Sequence, residues 1–129
     1  MKSDILVDTS AWIDYFNKPD SKTGKTVEQI LRKRRALLAG IVLTEILQGA
    51  KIKTEFEAIL ESMLVLPLLE ASLTTWIEAG RISFALRKKG ITIPTTDLII
   101  ASLALENNCS ILTLDPHFQK IPGVKPFND

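Results

Sequence analysis

Four of the chain's fifteen acidic residues stand in apolar company, and that placement restricts the possible folds more than any other feature. Asp8 closes the run Ile5-Leu6-Val7, and Glu45 lies between Ile41-Val42-Leu43-Thr44 and Ile46-Leu47. Asp97 precedes Leu98-Ile99-Ile100-Ala101, and Asp115 follows Ile111-Leu112-Thr113-Leu114. An unpaired buried carboxylate is expensive, so each of these needs a partner or a cation. Separate local explanations exist for three. Asp8 can cap the helix that follows it, Asp97 can complement a helix dipole, and Asp115 can open a turn before Pro116. Glu45, in mid-helix, has only a surface-facing position as its alternative. The set of four together points to a shared site.

The pattern around these acids is that of an α/β chain. Ile5-Leu6-Val7-Asp8 reads as a buried first strand, with Thr9 or Ser10 capping a helix through Trp12, Ile13 and Phe16. A turn at 17–20 leads to an amphipathic helix over 21–35, a second strand at 36–39, and helices over 41–50 and 54–64. A strand is expected at 65–68, its Pro67 indicating an edge position. A long helix over 72–89 ends at Gly90, and Thr95 or Thr96 caps a helix over 97–106. Strand 110–114, a short helix or turn at 115–120 and an edge strand at 124–127 complete the chain. Strands alternating with helices predict a three-layer sandwich with a mostly parallel central sheet. Asp8 and Asp115 then stand at carboxyl ends of strands, where ligand sites of open α/β sheets gather.

Composition narrows the chemistry. A length of 129 residues fits one domain, spanning 1–129. A single cysteine, Cys109, and a single histidine, His117, cannot supply the nitrogen and sulfur ligands of a zinc site. Serine–histidine catalysis has no G-x-S-x-G turn to support it. Sixteen Lys and Arg against fifteen acids leave a net charge of +1, so any affinity for polyanions must come from local clustering. The charged N-terminus shows no signal peptide, and no apolar run approaches the ~20 residues of a membrane span. A cytoplasmic protein is expected. Oxygen-only ligands suit a hard cation, Mg²⁺ or Mn²⁺.

Four segments carry a resemblance. V-D-T-S-A-W-I-D-Y-F at 7–16, L-T-E-I-L-Q-G at 43–49, P-T-T-D-L-I-I-A-S-L-A at 94–104 and I-L-T-L-D-P-H-F at 111–118 resemble the PIN-domain family. They are most similar to the VapC-type toxins of toxin–antitoxin pairs, in order and over nearly the whole chain. The resemblance implies a Mg²⁺- or Mn²⁺-dependent endoribonuclease that hydrolyses RNA phosphodiester bonds with metal-activated water and is silenced by a cognate antitoxin. It places Asp8, Glu45, Asp97 and Asp115 at the family's acidic positions, Asp8 and Asp97 as principal metal ligands. It matches Ser10 to the hydroxyl residue that supports the first aspartate, and Thr113 to the one preceding the last. Where some relatives carry a further acid near the third motif, Thr95 and Thr96 flank Asp97, so one ion or two stays open.

Other readings compete with a toxin. A PIN nuclease acting in RNA processing or on DNA, outside any toxin pair, has the same site. A phosphoacceptor module of the receiver type is similar in length, but needs an acidic pair ending strand one and an aspartate ending a middle strand. Here Thr9 follows Asp8, and no aspartate occurs between Asp20 and Asp97. Among the remaining residues, His117 reads as a surface or capping residue, Trp12 as core, Cys109 as a small buried hydrophobe, and Asp14 as pointing away from the site. The basic clusters Arg32-Lys33-Arg34-Arg35 and Arg87-Lys88-Lys89 read first as solvated helix ends and second as RNA contacts. A homodimer is expected, with Leu43, Ile46 and Leu47 facing a partner.

Overall fold

The computed structural model describes residues 4–128. Strands β1 (Ile5–Val7), β2 (Ala36–Ala39), β3 (Leu68–Leu69), β4 (Ser110–Leu112) and β5 (Lys125–Pro126) form one sheet in the order β3-β2-β1-β4-β5. Every pairing is parallel. Parallel strands cannot be joined by tight turns. Helices α1 (Thr9–Asn17), α2 (Lys22–Arg32), α3 (Gly40–Gln48), α4 (Lys53–Met63), α5 (Leu73–Arg87) and α6 (Thr95–Glu106) fill the connections, and a 3₁₀ helix spans Pro116–Lys120. Helices covering both faces of a parallel sheet call for strands that are apolar throughout. Each residue of β1 and β2 is buried. The α/β sandwich expected from the sequence is the observed fold.

The strand order positions the site. From β1 the chain steps outward to β2 and β3, then returns to lay β4 on the other side of β1. Strand order therefore reverses between β1 and β4, and a crevice opens beyond their carboxyl ends. Val7 is in register with Leu112, and the Asp8 N–H donates to the Leu112 carbonyl at 2.9 Å. Asp8 and Thr113 thus leave the sheet side by side.

Helix α6 has no polar face over most of its length: every residue from Asp97 to Ala104 is buried. A helix apolar all round belongs in an interior. Its one buried hydroxyl, that of Ser102, donates to the Leu98 carbonyl at 2.8 Å. Burying this helix carries Asp97 inward with it. Trp12 is core as expected, stacked on Phe16 and edge-on to Tyr15. Cys109 is buried too.

Several boundaries differ from the sequence reading, each for a local reason. The third strand is Leu68–Leu69 rather than 65–68, and Val65 is 80% exposed. Pro67 has no N–H to give, and pairing begins only where its carbonyl accepts from Leu38 N–H. The strand does lie at a sheet edge. Helix α2 stops at Arg32, because Arg34 turns the chain with φ of 54°. Thr9 and Ser10 do not cap α1, and neither Thr95 nor Thr96 caps α6. Asp8 and Pro94 hold those positions, and neither side chain accepts a capping bond. Strand β4 ends at Leu112 because the next three residues turn into the crevice.

Candidate active site

The crevice is built from hydroxyls that hold carboxylates. Ser10 Oγ and Thr113 Oγ1 both donate to Asp8 Oδ2, at 3.0 and 2.7 Å. Each hydroxyl also accepts a backbone N–H, Ser10 from Leu114 and Thr113 from Asp115, both at 2.9 Å. The two hydroxyls also lie within hydrogen-bonding distance of each other, 3.3 Å apart. The result ties the turn after β1 to the turn after β4 and fixes the Asp8 carboxylate in place. Asp8 is 4% exposed, so the hydroxyls offset part of its desolvation.

Glu45 enters from α3 and accepts from Thr9 Oγ1 at 2.7 Å. Helix α6 contributes Asp97 from its first turn, 7% exposed. Asp115 accepts from His117 N–H at 2.9 Å, which caps the 3₁₀ helix. That turn folds the imidazole back over the acids. His117 Nδ1 lies 2.7 Å from Asp115 Oδ1 and 3.3 Å from Asp97 Oδ2. His117 is therefore a member of this cluster and not the detached surface residue its sequence context suggests. Thr9, which its sequence context presents as a cap, likewise belongs to the site through Glu45. The spacing Asp115-Pro116-His117 was the available signal for His117, since a capped 3₁₀ turn reverses the chain within two residues.

The electrostatics record how close the carboxylates are. Asp97 is pushed up to about 7 by burial first, then by a hydrogen bond and like charge from Asp115, then by the charges of Asp8 and Glu45. Burial also raises Asp115, but the His117 N–H, the Asp97 carboxyl and the imidazole outweigh it and hold Asp115 below the usual carboxylate range. Without a cation the pair is best described as one shared proton resting on Asp97. The four predicted acids are thus brought together.

Asp97 Oδ2 and His117 Nδ1 are buried and make no aligned hydrogen bond among the described residues, although they lie near each other and near Asp115. Asp97, Asp115 and His117 each offer a ligand atom, all within 4.8 Å of one another. Ligand atoms crowded this closely, with two carboxylates among them, fit a divalent cation.

The other residues singled out by sequence fall elsewhere. Asp14 accepts from Ser21 Oγ at 2.7 Å, joining α1 to the start of α2, away from the crevice as expected. Arg35 forks onto Asp4 at 2.8 and 2.9 Å and rests over the Phe127 ring, while Arg32 pairs with Glu28. Asp4 precedes β1, so this cluster lies at the amino ends of the strands, opposite the acids. Ile46 is core and cannot face a partner.

Comparison with known proteins agrees with the geometry. Residues 5–124 match the model of the PIN domain. A VapC ribonuclease from Mycobacterium bovis is 31% identical over 126 residues, covering 93% of this chain and 92% of its own. The ribonuclease VapC2 of Rickettsia felis is 26% identical over 124 residues, 92% of each chain. The crystal structure of VapBC2 from Rickettsia felis, bound to a DNA fragment from its promoter, superimposes with a TM-score of 0.82. It is 25% identical and covers 100% of this chain and 99% of that one.

Proposed function

This chain belongs to the PIN-domain family, and from that premise we propose that it is the toxin of a toxin–antitoxin pair, a divalent-metal-dependent endoribonuclease. The observation that carries the reading is the convergence of Asp8, Glu45, Asp97 and Asp115 on one crevice, with Asp97 Oδ2 and His117 Nδ1 buried inside it. Asp8 and Asp97 are the principal metal ligands, Asp115 and His117 complete the set, and Glu45 orients water at its edge. The ion is Mg²⁺ or Mn²⁺. When bound it supplies a Lewis acid that polarises the phosphodiester and acidifies water.

The chain's own residues do the rest. Ser10 and Thr113 hold the Asp8 carboxylate in place by donating to it. Thr9 fixes the Glu45 carboxylate through one oxygen, leaving the other to accept a proton from water. A bound cation would favour the ionised form of Asp97, offsetting the burial and the like charges that raise it.

The partners follow from the same reading. RNA is the substrate. The likeness to VapBC2 of Rickettsia felis supports a cognate antitoxin as partner, one that would cover the acids and silence them. An arginine from it pairs well with clustered carboxylates. A second copy of the chain packs on α5, where Leu73, Trp76, Ile77 and Phe84 are exposed in a stripe and Gly80 leaves the helix backbone open between them. An isologous contact brings that stripe against itself.

Expression in a bacterial host tests the toxin reading. Wild type is expected to arrest growth, Asp97→Asn to permit it, and co-expression of a cognate antitoxin to restore it. Growth arrest by Asp97→Asn would show that any toxicity is not enzymatic. A nuclease that degrades RNA without arresting growth would favour RNA processing instead.

A further inference from the structure

We propose that Arg87, Lys88 and Lys89 form a phosphate-binding rim that guides single-stranded RNA into the acidic crevice; this rests on the ribonuclease reading. The chain's two basic clusters have opposite settings. The first lies at the amino ends of the strands, with Arg32 on Glu28 and Arg35 on Asp4. The second is exposed, and no acid is paired with Arg87, Lys88 or Lys89 among the described residues. Lys88 Nζ lies 4.5 Å from the centroid of the Phe84 ring, which uses one face of the ammonium and leaves the other toward solvent.

Its place in the fold is fixed by the turn that follows. Lys89 N–H and Ile91 N–H both donate to the Leu86 carbonyl, and Gly90 takes a φ of +79° that a side chain would resist. The chain is thereby folded back at the end of α5, and buried Ile93 anchors the short run into α6. From Ile91 to the start of α6 at Thr95 the chain spans at most about 14 Å. Asp97 stands in the first turn beyond. Helix α5 packs along α6, so the tripeptide lies at the end of the fold where α6 begins and Asp97 stands, at most about 21 Å of chain from Lys89 to Thr95. Clustered acids repel a polyanion, and an unpaired basic rim beside them supplies the attraction that brings it near. Contacts of this kind position the strand without reading its sequence.

The experiment measures binding of a labelled single-stranded RNA in EDTA, where no cleavage occurs, at several salt concentrations. Wild type is compared with R87Q/K88Q/K89Q and with a variant of equal charge change at the opposite end, R32Q/K33Q/K125Q. Each phosphate contact contributes about 0.7 to the salt slope for single strands, so the rim variant should lose about 2 from it. Between 50 and 200 mM salt the wild-type affinity should then fall about 20-fold more than the variant's. The opposite-end variant should keep the wild-type slope. The single substitution Lys89→Glu, at an exposed position, checks the same slope should the triple variant fold poorly. A wild-type slope in both rim variants, or equal losses from both ends, overturns the rim. Loss of antitoxin binding with an unchanged RNA slope assigns the surface to the protein partner and also overturns it. Failure of wild type to cleave RNA in Mg²⁺ would sink the ribonuclease reading separately, because the EDTA binding measurement still decides the rim.

Discussion

Asp97 is the residue at which the protein's stability and its proposed chemistry oppose each other. In the folded, metal-free protein its carboxyl holds a proton up to about pH 7, whereas the unfolded chain releases it near 3.8. The folded state binds more protons over that interval, so this group's contribution to stability falls as pH rises from about 4 to about 7. Asp97→Asn keeps the shape and removes the charge. In EDTA it should raise Tm, by about 3–5 °C for each kcal/mol of repulsion relieved in a chain of this size. The gap from wild type should widen between about pH 4 and pH 7 and level off above that. Mg²⁺ should stabilise wild type by mass action and the variant far less. Thermal melts in both buffers check this, and a variant that melts below wild type in EDTA would make Asp97 a structural group. At this scale the sequence was informative about acids and poor about their neighbours. Asp8, Glu45, Asp97 and Asp115 stand out because carboxylates are costly in apolar runs. His117 and Thr9 do not, because nothing in Pro-His-Phe or Asp-Thr-Ser is unusual until a 3₁₀ turn and a helix start aim those side chains inward.

Among the elements, the two turns leaving β1 and β4 carry the site, and hydroxyls rather than apolar contacts hold them together. Thr113 donates to Asp8 and accepts from Asp115 N–H. Thr113→Val should leave both partners short of a bond and destabilise the protein by about 1–3 kcal/mol. Urea denaturation reads that loss, and a midpoint unchanged from wild type would contradict the role assigned to Thr113. Strand and helix identities were legible because the apolar periods are strong, and the parallel sheet followed from their alternation. Their ends were not. Thr9, Ser10, Thr95 and Thr96 look like helix caps, but the hydroxyls of Thr9 and Ser10 serve Glu45 and Asp8. Pro67 displaced β3 along the chain by refusing to pair. A tertiary demand for oxygen donors overrode the local capping preference.

For the whole molecule, the strand order β3-β2-β1-β4-β5 is what makes four distant acids neighbours. Among the described residues, no helix is long and apolar enough to cross a membrane. The exposed stripe on α5 is the surface most in need of a cover, with Leu73 74% and Trp76 52% exposed. The sequence suggested Leu43, Ile46 and Leu47 for that role, a helical face that Ile46 in fact buries in the core. Trp76→Glu places a charge in the stripe and should turn a dimer into a monomer by light scattering, with Tm changed little beyond the effect of dissociation. A wild-type protein that is monomeric at micromolar concentration would remove this contact.

The central claim, that the converging acids hold a divalent cation to cut RNA, is tested most directly by incubating purified protein with RNA in Mg²⁺, in Mn²⁺ and in EDTA. Wild type should cleave in either metal and stop in EDTA. Asp8→Asn and Asp97→Asn should lose about two orders of magnitude or more, roughly the loss of one preorganised charge-stabilising group. Cleavage in EDTA at the rate seen in Mg²⁺, or an Asp97→Asn variant as active as wild type, would contradict it.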